Sequence, residues 1–132
     1  MTGDQAPAVE QLLRVESRRA GAAMVVTVAG EVDMFTAPRV AEAVGRALAD
    51  PAVDVIVVDL TEVGFLDHAG LDALVDAHRA AERQREPLRV VVDHNRPVVR
   101  PLEITGLERV LALYYDVAEA LAESSEPGGS GG

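Results

Sequence analysis

The stretch Val53 to Leu60, VDVIVVDL, is short, β-branched and nearly all apolar. A run like this has no polar face to offer water. It therefore reads as a strand buried on both sides, as at the centre of a parallel sheet. Thr61 to Leu66 (TEVGFL) then reads as a loop. Asp67 stands where it can cap a helix from about His68 to Gln84, with Leu71, Leu74, Val75 and His78 on one face.

Working outward, Leu12 to Ser17 (LLRVES) alternates apolar and polar residues and reads as an edge strand. Ala22 to Val28 (AAMVVTV) reads as its neighbour, with Ala20 and Gly21 in a tight turn between them. Thr36 has the chemistry of a helix N-cap, and Pro38 falls in the first turn, where a missing N–H costs nothing. Val40, Val44, Ala47 and Leu48 recur at helical spacing until Asp50-Pro51 ends the pattern. Downstream, Leu88 to Val92 (LRVVV) is a second buried strand. Asn95 and Pro97 open a short helix from Val98 to Ile104, and Gly106 stops it. Val110 to Tyr114 is the last strand, and Asp116 caps a final helix ending near Ala122.

The order is β-β-α-β-α-β-α-β-α. The first two strands suit an antiparallel hairpin, and helical crossovers make the later ones parallel. The expectation is one α/β domain with a mixed, mostly parallel sheet and about four helices, spanning residues 9–122. Residues 1–8 read as a flexible tail. Residues 123–132, ESSEPGGSGG, read as a disordered Gly/Ser-rich tail.

Composition excludes several functions. Apolar residues make up 48% of the chain, enough for a core, but aromatics are only 3% and Trp is absent. The core must be Val, Leu, Ile and Ala, with little left for a base-stacking platform. A net charge of −10 repels phosphate backbones and anionic membranes, so neither nucleic acid nor membrane is an expected partner. Cys is absent, which removes disulfides, thiolate metal sites and a Cys nucleophile. His68, His78 and His94 lack metal-ligand spacing; His78 reads as a packed, hydrogen-bonded side chain and His94 as an exposed loop residue. Phosphate-loop, dinucleotide and nucleophile-elbow motifs are absent, and Ser17, Ser124, Ser125 and Ser130 lie far from any base. Neither an enzyme nor a cofactor is expected. The start, MTGDQAPAVEQ, has no apolar core of a signal peptide, and no apolar run approaches the roughly 18 residues of a membrane span, so the expected location is cytoplasmic. All twelve basic residues are Arg, a usage that suits a high-GC bacterial genome.

Three stretches resemble the STAS family of bacterial anti-sigma factor antagonists. They are Gly30-Glu31-Val32-Asp33 with Thr36-Ala37-Pro38; Val57-Val58-Asp59-Leu60 with Val63, Phe65-Leu66-Asp67 and Ala69-Gly70-Leu71; and Leu102-Glu103-Ile104-Thr105-Gly106-Leu107. The resemblance implies a single STAS domain and a partner-switching mechanism. The antagonist captures an anti-sigma factor that is also a serine kinase, which frees a sigma factor. Phosphorylation of the first Ser in the family's D-S-S-G-L motif then breaks the complex. A helix N-terminus tolerates the added phosphate, whereas an interface fitted to a neutral hydroxyl does not.

This chain departs from the motif at the acceptor itself. It reads Asp67-His68-Ala69-Gly70, so His68 stands at the phosphorylated position and Ala69 at the second serine. Neither can serve as the oxygen nucleophile that a serine kinase needs. Three readings stay open: a drifted surface residue, an antagonist that phosphorylation does not switch off, or a ring that mimics the off state or selects another partner. The expected partner surface is Asp33, Thr36, Asp67, His68, Ala69, Gly70, Leu71 and Asp72. Asp72 and Asp76 share a helix face with His68, either as a solvated acidic stripe or as a contact for a basic partner group. The expected state is a monomer or weak homodimer. The rival roles are a STAS scaffold or a ligand-sensing subunit in a larger signalling complex.

Overall fold

A computed structural model describes residues 12–84 and 86–123. The expected tail 1–8, and the expected tail 123–132 beyond Glu123, lie outside the described residues. The elements are β1 (Leu13–Ala20), β2 (Ala23–Val32), α1 (Ala37–Leu48), β3 (Val55–Leu66), α2 (His68–Gln84), β4 (Arg89–Val91), α3 (Arg96–Thr105), a 3-10 turn (Leu107–Arg109), β5 (Ala112–Tyr114) and α4 (Val117–Ala122). The sheet runs β1-β2-β3-β4-β5, with β1 antiparallel to β2 and every later pair parallel. No helix among the described residues is long and apolar enough to cross a membrane.

The unbroken apolar reading of β3 has a direct cause. Ile56, Val58 and Leu60 point into the larger core under α1, α2 and α3. Val55 and Val57 point the other way, into a smaller cluster covered by Ala120, Val117 and Leu121 of α4. Both faces are dry, so neither needs polar residues.

The segment 61–66, expected to be a loop, is the second half of β3. Glu62, Val63, Phe65 and Leu66 pair with Ala29, Gly30, Glu31 and Val32 of β2. Two register shifts interrupt this pairing, each placing an extra residue on β3. At the first, the Asp59 carboxylate accepts from the Thr61 amide (3.0 Å) and hydroxyl (2.8 Å). Bulges of this kind put polar residues and a glycine inside a strand, which is why TEVGFL looked like loop sequence. β4 pairs with β3 only as far as Asp59. Beyond it, the Asn95 side-chain amide donates to the Leu60 (2.9 Å) and Val63 (2.7 Å) carbonyls that β4 leaves open. The last strand is likewise shorter than expected, because the 3-10 turn occupies 107–109 and Val110 remains exposed.

Arg89 on β4 is only 4% exposed. Its guanidinium donates to the carbonyls of Ala120 (2.7 Å) and Glu123 (2.9 Å) and to Glu86 Oε1 (2.8 Å). It thus satisfies the open carbonyl end of α4. Burial, and next a hydrogen bond to Glu123, push the neighbouring Tyr114 phenol up to about 12.

Two predictions follow from this corner. Arg89→Leu removes the donor to the Ala120 and Glu123 carbonyls and to Glu86, and should cost about 2–3 kcal/mol in urea unfolding. Between pH 10 and about 12 the unfolded Tyr114 ionises while the folded one stays neutral, so stability falls as pH rises through that window. Unfolding midpoints measured across it should fall less steeply for Tyr114→Phe.

Candidate functional site

β2 and β3 run side by side and parallel, so their C-terminal ends lie together, and each feeds directly into a helix. The Asp67 amide donates to the Val32 carbonyl (3.1 Å), which locks the start of α2 to the end of β2. Edges of this kind, at the carboxyl ends of parallel strands, are where α/β domains place their sites.

The turn into α1 is held by Asp33. Its Oδ1 accepts from the amides of Phe35 (2.9 Å) and Thr36 (3.1 Å), and its carbonyl accepts from the Ala37 amide (2.8 Å). Thr36 does not cap the helix as expected. Its hydroxyl points back into the turn, accepting from the Asp33 amide (2.9 Å) and donating to the Glu31 carbonyl (2.7 Å). Asp33, three residues earlier, had already taken the exposed amides. Thr36 is 1% exposed, so it lies beneath the surface and holds Asp33 in place.

At the start of α2, Asp67 does cap: its Oδ1 accepts from the Gly70 amide (3.1 Å). Gly70 is required by contact. A Cβ there would collide with Leu66 Cδ1 and lie 3.1 Å from the Val32 carbonyl oxygen. Its absence lets α2 sit directly on the ends of both strands. Leu71 is buried below, while His68 is exposed and Ala69 half-buried. Of the expected surface, then, Asp33, Asp67, His68, Ala69 and Asp72 reach solvent, and Thr36, Gly70 and Leu71 support them.

Two grooves flank the start of α2. One, about 590 Å³, lies between α1 and α2 and is lined by Met34, Ala37, Ala69, Asp72 and Asp76 among others. The other, about 460 Å³, lies between α2 and α3, with Phe65, His68, Arg96, Arg100 and Ile104 on its walls. Asp72 and Asp76 thus border the groove opposite the one that His68 lines. Met34 (66% exposed), Phe35 (71%) and Phe65 (48%) stand around this end of the molecule. The expected partner surface included none of the three, nor the arginines. An apolar Met-Phe pair between a turn aspartate and Thr36 was the available signal, since nothing in a turn buries it.

The other histidines line neither groove. His94 is exposed and meets the Tyr115 ring edge-on, with centroids 5.2 Å apart. His78 is packed as expected but lacks the expected hydrogen bond: Nδ1 has no partner and Nε2 is 3.8 Å from Glu82. Among the described residues no group of three or more His, Asp or Glu side chains could hold a metal ion.

Because Thr36 both donates and accepts inside a closed turn, Thr36→Val should destabilise the protein by about 2 kcal/mol in urea unfolding, the cost of stranding the Asp33 amide and Glu31 carbonyl.

The family model described as the STAS domain matches residues 14–120. The anti-sigma-B factor antagonist of Listeria monocytogenes is 36% identical over 88 residues, covering 67% of this chain and 75% of that protein. The anti-sigma-F factor antagonist RsfB of Mycobacterium tuberculosis is 31% identical over 98 residues, covering 74% and 77%. The crystal structure of an anti-sigma factor antagonist from Mycobacterium paratuberculosis superposes with a TM-score of 0.74 at 31% identity, covering 83% of this chain and 91% of that one. With the order of elements, the Asp33 turn and the glycine-seated helix all in place, the chain belongs to the STAS domain family.

Proposed function

We propose that this chain is an anti-sigma factor antagonist, a binding protein rather than an enzyme, that captures a serine-kinase-type anti-sigma factor and so frees a sigma factor. The observation that carries this reading is the exposed start of α2, ringed by Met34, Phe35 and Phe65. Exposed apolar side chains gathered at one end of a small domain suit a protein partner. The names of the Listeria and Mycobacterium relatives support the identity of that partner. Asp33, Asp67, His68, Ala69 and Asp72 supply the polar part of the contact, over Thr36, Gly70 and Leu71.

Serine phosphorylation does not switch this antagonist off. His68 and Ala69 occupy the acceptor turn, and neither carries a hydroxyl. Nearby hydroxyls do not take over the role. Thr36 is buried and bonded at both ends, the Thr61 hydroxyl is held by Asp59, and the Thr105 hydroxyl donates to the Pro101 carbonyl within its own helix. The complex therefore persists where a serine-bearing relative would be released.

The test is a titration into purified kinase-type anti-sigma factors with and without ATP, comparing wild type with His68→Ser. Wild type is expected to bind and to stay bound and unlabelled when ATP is added, while His68→Ser binds, is phosphorylated and dissociates. Labelling and release of the wild type would sink the non-switchable reading. Binding by His68→Ser alone would show instead that the imidazole blocks the interface.

A further inference from the structure

The two grooves beside α2 carry opposite charge. No acidic side chain lines the α2–α3 groove, although the chain as a whole has a net charge of −10. Its charged walls are Arg96 and Arg100, four residues apart on α3, and both are exposed. Neither has an ion-pair partner among the described residues. The α1–α2 groove is the reverse: Asp72 and Asp76 line it, and no basic side chain does.

Arg96 is also badly placed for its own helix. It is the first residue of α3, whose first turn holds no acidic residue. A cation there opposes the positive end of the helix dipole. Local stability therefore does not explain it, whereas an incoming anion would. One turn beyond Arg100 on α3, Ile104 lines the same groove and stands 71% exposed among the described residues.

We propose that the α2–α3 groove receives an acidic segment of the anti-sigma factor, with an apolar side chain set between Phe65 and Ile104 and two carboxylates on Arg96 and Arg100. This inference rests on the antagonist reading above. Residues four apart on a helix lie about 6 Å apart along its axis. The matching carboxylates are thus one turn apart on a partner helix. Each guanidinium can grip one carboxylate through two parallel hydrogen bonds. The acidic α1–α2 groove then faces a basic part of the same partner. Opposite charge on the two sides of one helix leaves a single favourable docking orientation.

The test compares wild type, the double variant Arg96→Glu/Arg100→Glu and Arg96→Gln/Arg100→Gln against a panel of purified kinase-type anti-sigma factors. Affinity is measured at low and high salt, and thermal unfolding of each free protein is followed alongside. The double reversal is expected to weaken binding about 100-fold at low salt, roughly tenfold per arginine, and to flatten its salt dependence. Its unfolding midpoint should hold or rise, because Glu suits the start of α3 where Arg does not. That combination separates a lost contact from a damaged fold. If wild type binds and the reversal keeps full affinity, this inference is overturned and the antagonist reading stands. If wild type binds no factor in the panel, the antagonist reading fails and this inference fails with it. If sedimentation shows a wild-type dimer that the reversal dissolves, the two grooves serve a second copy of this chain, and the assignment to an anti-sigma factor is wrong.

Discussion

The hydrogen bond from the Asp67 amide to the Val32 carbonyl is the contact on which the functional end depends. It exists because β3 continues six residues past Leu60 alongside β2, so both strands finish at the same level. Two helices then begin side by side. Each start is tied down by an aspartate: Asp33 through the amides of Phe35 and Thr36, Asp67 through that of Gly70. Had β3 ended at Leu60, seven residues of irregular chain would separate the sheet from α2, and the two turns would have no common reference.

That geometry leaves a surface on which Asp33, Thr36 and Asp67 are already engaged in holding the two turns. Thr36 shows the logic. Its hydroxyl is spent within the turn, and so it cannot double as a cap, a partner contact or a phosphate acceptor. What faces outward is therefore mostly apolar, Met34, Phe35 and Phe65, with charge sorted to either side of α2. A rigid apolar patch with charged flanks binds with little ordering cost. On the reading proposed above, the His68 ring in place of a hydroxyl would alter how such a surface is regulated without altering how it is built.

The opposite corner of the sheet follows a different rule. With so few aromatics, the small core under α4 is made of Val and Ala and buries little area per residue. A single buried arginine compensates by binding the open carbonyl end of that helix. Arg89 reads in sequence as an odd charge inside LRVVV, and only the position of α4 explains it.

The sequence by itself determined the fold class, the order of strands and helices, and the turn chemistry. Apolar runs such as VIVV admit one environment, and Asp67, Gly106 and Asp116 end or begin helices through local geometry. These effects act within a few residues of each other, so they are legible without a structure. Tertiary structure alone decided that TEVGFL is strand, because its bulges are stable only through pairing with β2 and through Asn95. It decided that Thr36 is a buried strut and not a cap, since the Glu31 carbonyl competes for the hydroxyl from across the turn. It also brought Phe65, His68 and the arginines of α3 to one groove. The arginines follow Phe65 and His68 by 28 to 35 positions in the chain, and their meeting depends on how α3 packs against β3, which no local pattern encodes.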